Sequence, residues 1–63
     1  MDDARVFWLL DQRISYLEKQ QIKLRETLNV PIDKLNYDHL RDFIENIGRL
    51  RELRHLRERM ENF

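Results

Sequence analysis

One proline near the middle of an otherwise helix-forming chain decides most of what that chain can become. Pro31 lacks an N–H and its ring collides with the preceding helical turn, so it cannot sit inside a helix. It also pushes Val30, the residue before it, into extended backbone. Asn29 completes the break as a residue suited to a helix C-terminus. The 63 residues contain only this proline and one glycine, Gly48. Two long helices joined by one connection are therefore expected: a first helix over about residues 3–29, a connection over about 30–36 and a second helix over about 37–61.

The first helix carries a heptad. Phe7, Leu10, Ile14, Leu17, Gln21, Leu24 and Leu28 recur at alternating spacings of three and four, the pattern of a seam packed against another helix. Gln21 is its one polar member, in a position where a polar side chain either fixes register or reaches water from a thin bundle. Asp2 and Asp3 suit the helix start, where carboxylates meet the positive end of the dipole. Past the proline, Ile32 to Leu35 reads as a single turn, with Val30, Ile32 and Leu35 covering the end of the hairpin. Asn36 or Asp33 can cap the second helix, with Asp38 in its first turn. Equal helices and a short connection predict an all-α, antiparallel helical hairpin forming a single domain over residues 1–63.

The second helix is less regular. Leu40, Phe43, Ile44, Ile47 and Leu50 make one stripe, which gives an expected core of these residues against Phe7, Leu10, Ile14, Leu17, Leu24 and Leu28. Continuing the stripe leads to Arg54 and Arg57, whereas the apolar residues arrive as Leu53, Leu56, Met60 and Phe63. At 100° per residue Leu56 points about 160° away from Leu40. Gly48, near the changeover, could permit a kink. Trp8, Leu9 and Tyr16 lie off the first helix's heptad, and an antiparallel hairpin places them at the same end. Trp8, Leu9, Tyr16, Leu53, Leu56, Met60 and Phe63 thus form the expected protein interface near the chain termini. Surplus apolar surface of this kind, rich in aromatic and Met side chains, marks interaction sites.

Size points the same way. A chain this short sits near the lower limit for folding alone, and such chains lean on disulfides, metals or oligomerisation. There is no cysteine, which removes disulfides and thiolate metal sites. The expectation is association with another copy, as a homodimer and four-helix bundle of coiled-coil character, or docking on another protein. Twelve basic and twelve acidic residues balance, which argues against a general polyanion binder. The longest apolar run, Val6 to Leu10, is far too short for a membrane span or signal core, so a cytoplasmic protein is the default expectation.

Two patterns carry other chemistry. Residues 49–59 hold five arginines and two glutamates, a charge of +3. Arg51, Arg54 and Arg57 are the residues a nucleic-acid-binding regulator would use, since the guanidinium fork suits phosphate. The plainer reading is dipole complementation and helical pairs such as Arg57 with Glu61. Glu52 and His55 form a Glu-x-x-His, the spacing of di-metal bundles. The surrounding arginines repel a cation and only Asp11 lies opposite, so no metal or cofactor is expected. His39 with Asp38 and Asp42 reads as a first-turn cluster. Catalysis needs a concave site with groups in fixed geometry. A two-helix hairpin with one serine, Ser15, offers none, and a non-enzymatic protein without a small-molecule substrate is expected.

Overall fold

The computed structural model describes residues 3–62. Helix α1 covers Asp3–Leu28 and helix α2 covers Tyr37–Glu61, with a short 3-10 turn, Ile32–Lys34, between them. Asp2 lies outside the described residues. Asp3 opens α1 and Arg25 stands in its last turn, each complementing the nearby end of the dipole. The helix closes when the Asn29 N–H donates to the Glu26 carbonyl at 3.3 Å. Among the described residues no non-glycine takes a positive φ, so Asn29 ends α1 by a tightened last turn and not by a left-handed cap.

The connection is built on Pro31, whose carbonyl accepts the Lys34 N–H at 2.9 Å. Asn36 is the cap of α2. Its side chain accepts from the Asp38 and His39 N–H groups at 2.9 and 3.2 Å, satisfying two donors that the helix leaves open. The turn does not cover the hairpin end as the sequence suggested. Ile32 is 84% exposed and Val30 is also exposed, because the tight turn directs them outward; only Leu35 is half-buried.

Three contacts along the length establish the antiparallel arrangement. Arg57 pairs with Asp11 near the termini, Gln21 bonds the Phe43 carbonyl at 2.9 Å, and His39 Nδ1 meets Thr27 Oγ1 at 3.1 Å near the connection. The hairpin is a rod, with Cα extents of 49 × 15 × 13 Å. On α1 the seam follows the expected heptad: Ile14 and Leu17 are buried, and Phe7, Leu10, Gln21, Leu24 and Leu28 are half-buried.

On α2 the seam differs from the expected core. It runs through His39, Phe43, Asn46, Leu50, Leu53, Arg57 and Met60, all buried or half-buried. These residues alternate by four and three, so the stripe is continuous and does not rotate midway. Ile44 and Ile47, expected in the core, are 58% and 44% exposed. Phe43 and Leu50 belong to both candidate stripes. A straight helix facing one partner cannot bury Ile44 and Ile47 together with Leu53 and Met60, because the two sets lie about 150° apart. The hairpin uses the second set and buries Asn46 as part of it. Helix α2 passes through Gly48 without interruption.

Candidate interaction surface

A two-helix seam leaves two flanks, and here they differ. On one, Ile22 of α1 and Ile47 of α2 form the walls of an open groove with Phe43 and Leu50 at its floor. Ile44, one turn before Ile47, extends the same apolar side. Toward the termini the groove is crossed by Glu18 and Arg54, whose charged groups lie 3.8 Å apart. Arg51 and Arg54 continue outward beside Ile47 in an adjoining depression. The other flank is polar along the middle of the rod, with Gln20, Lys23, Asp42 and Arg49 around Asn46.

The residues singled out by sequence fall into three places. Trp8, Leu9, Tyr16 and Leu56 are about half exposed. Leu53 packs against the buried cluster of Ile14, Leu17 and Leu50, and Met60 is half-buried in the seam. Phe63 lies outside the described residues. Trp8 follows Phe7 in the seam and falls on the isoleucine flank, whereas Leu9 and Tyr16 precede Leu10 and Leu17 and fall on the opposite flank. The set is therefore divided between two flanks and the seam itself.

Sequence spacing alone does not single out Ile22, Ile44 and Ile47 as surface residues, yet all three are exposed. The signal that could have found them is the requirement that one helix present one stripe: taking Leu53 and Met60 as seam forces Ile44 and Ile47 out. Ile22 stands next to Gln21, one step off the α1 heptad.

Of the three arginines singled out by sequence, Arg54 and Arg57 are held by partners toward the hairpin's terminal end. Arg57 lies within the seam with its guanidinium carbon 5.5 Å from the centroid of the Phe7 ring, a cation–π arrangement. It donates to Asp11, including Nη2 to Oδ2 at 3.2 Å, and to Glu61. Its long stem fills apolar space while its head stays at the rim. The hydrogen bond from Arg57 is the main cause that holds the Asp11 carboxyl below its ordinary range; loss of hydration opposes it and the Arg57 charge adds to it. Arg54 is shared with Glu18 across the groove. Arg51, Arg54 and Arg57 thus form no single row, since Arg57 is turned into the seam.

One polar atom stands out beneath the groove. Gln21 donates through Nε2 to the Phe43 carbonyl, while its Oε1 is buried without a hydrogen-bond partner. A buried acceptor left unpaired costs about 1–3 kcal/mol. Glu52 and His55 are exposed, and among the described residues no group of three or more His, Cys, Asp or Glu side chains gathers. No described helix is long and apolar enough to cross a membrane. No protein-family model matches the chain, and comparison with curated proteins and with solved structures finds no match.

Proposed function

We propose that this hairpin is a non-enzymatic protein-interaction module that completes its hydrophobic core by packing against another helical surface, in the first place that of a second copy. The observation that carries this reading is the imbalance between core and surface. Among the described residues, Ile14, Leu17 and Leu50 are the only buried apolar side chains, while ten large ones are exposed. Scattered exposed apolar residues are ordinary. Here three of them, Ile22, Ile44 and Ile47, share one flank above a groove whose floor is already apolar, and such a contiguous patch marks a binding surface. Trp8 at the terminal end of the same flank supplies a further anchor.

The test is sedimentation equilibrium over a wide concentration range, with thermal melts followed by circular dichroism at each concentration. Association couples to folding, so the melting temperature of a self-associating hairpin rises with concentration. A single species of monomer mass with a concentration-independent melt would remove self-association. The isoleucine flank would then await a different protein.

A further inference from the structure

The charges beside the isoleucine groove determine how a second copy fits. We infer that two hairpins associate with α1 of each lying on α2 of the other, related by a two-fold axis parallel to the helices, with both connections at the same end; this rests on the self-association reading above.

The argument starts from levels along the rod. The Gln21–Phe43 bond and the shared groove set Ile22 beside Ile44 and Ile47 in the half nearer the connection. The Glu18–Arg54 pair and the depression holding Arg51 and Arg54 set Glu18 beside those two arginines nearer the termini. At these two levels the two helices thus carry complementary groups: isoleucine beside isoleucine, and an acid on α1 beside bases on α2; Arg25 lines the groove nearer the connection. A two-fold axis along the rod preserves level and exchanges helices. It lays Ile22 of one chain on the isoleucines of its partner. It also lays Glu18 on the partner copy's arginines, where Arg51, which makes no ion pair among the described residues, finds a counter-charge.

End-for-end arrangements do less well. A two-fold axis across the rod and through the middle of α2, near residue 49, stacks α2 on α2 and sets Arg51 opposite the partner copy's Ile47 and Arg54 opposite its Ile44. Charge is then laid on apolar surface, which costs hydration without supplying a counter-charge. Sliding such a pair until the isoleucines meet leaves roughly the terminal fifth of each rod, including Trp8, uncovered. Specific interfaces bury about 800 Å² per partner. A rod only 15 Å wide and 49 Å long must use most of its length to reach that area. Only the same-end arrangement combines full overlap, apolar contact and charge complementarity. All neighbouring helices in it are antiparallel, as in an up-down four-helix bundle.

Because the chain has no cysteine, the arrangement can be read by cross-linking between two differently substituted chains. Ile22→Cys and Ile47→Cys are made separately, each at an exposed position that leaves the seam intact, and each is checked for helicity. Neither chain can bridge within itself. A disulfide requires Cβ atoms about 4 Å apart, so on oxidation the mixed sample should give Ile22→Cys to Ile47→Cys dimers in excess on the order of tenfold over Ile22→Cys homodimers. The pair Ile22→Cys with Ile44→Cys serves as a second reading, bridged with a short bismaleimide. Dimers in sedimentation that cross-link mainly from Ile22→Cys to itself would overturn the orientation and leave self-association standing. Monomers throughout, with no cross-link, would overturn both.

Discussion

The two flanks of this hairpin use the same helices and the same seam, yet along the middle of the rod one is apolar and the other polar, while Leu9 and Tyr16 stand half exposed at the terminal end of the polar one. Beside Ile22, Ile44 and Ile47 the groove floor is Phe43 and Leu50; on the far side Gln20, Lys23, Asp42 and Arg49 surround Asn46. The difference comes from single-residue offsets. Residues following a seam position fall on one flank and residues preceding it fall on the other. Isoleucines follow the seam members Gln21, Phe43 and Asn46, and mostly charged or amide side chains precede the seam along the same stretch. The lesson is that a thin hairpin can stay polar along one flank while gathering apolar side chains on the other, without any change of fold.

The largest effect should come from replacing Ile44 and Ile47 together with Glu. Burying an isoleucine is worth about 1.5–3 kcal/mol, and each of two chains would lose two, so association should weaken by roughly a thousandfold or more. Sedimentation should show monomer where the parent shows dimer. The matched change on the other flank, Lys23→Ala with Arg49→Ala, should shift stability by no more than about 0.5 kcal/mol. Equal effects from the two pairs would dissolve the distinction between the flanks.

How much of this was legible beforehand varies by helix. Pro31, the α1 heptad and the cap at Asn36 act locally, so residue type and spacing sufficed. Helix α2 was ambiguous because Phe43 and Leu50 fit two stripes, and the choice between them depends on what α1 presents. Arg57 looked like an interruption of the stripe. Its place in the seam depends on Phe7 and Asp11, the latter 46 residues earlier, and no local pattern reveals such a pairing. Sequence spacing alone places the candidate interface at the termini as one surface for the same reason: moving Leu53 and Met60 into the seam releases Ile44 and Ile47 to the outside.

Gln21 offers the next effect in size. Replacing it with Leu removes the buried Oε1 that lacks a partner and deepens the apolar floor of the isoleucine flank. The Phe43 carbonyl keeps its helical bond, so the change should stabilise by about 1–2 kcal/mol, seen as a higher melting temperature. Polar seam residues often fix register. The Gln21→Leu hairpin should accordingly give a less selective cross-linking pattern between Ile22→Cys and Ile47→Cys chains. A destabilised variant would mean that the amide donates more than its oxygen costs.

Acid should act away from both flanks, at the terminal end. Asp11 has its pKa lowered by the Arg57 hydrogen bond, so the pair's contribution is present above the unfolded carboxylate value of about 3.9 and lost as pH falls through the lower folded value. Asp11→Asn should melt lower than the parent at neutral pH, and the two should converge in acid. Melts across pH 2 to 7 check this, on the order of a few points per pH unit. A constant gap between the curves would show that Asp11 acts by something other than its charge.

The smallest change is also the cleanest control. Gly48 sits on the outer surface of α2, and a Cβ added there meets nothing within 4 Å. It takes no positive φ, so alanine fits the backbone without strain. Gly48→Ala should therefore add about 0.5–1 kcal/mol through the lost freedom of glycine in the unfolded chain and the higher helix propensity of alanine. It touches neither flank. The monomer and the dimer should gain alike, so the melting curve should move upward while the dissociation constant measured by sedimentation stays where it was. If Gly48→Ala instead weakened association, the outer face of α2 would have to lie close to a partner's backbone, and the contrast between the two flanks would no longer decide where that partner sits.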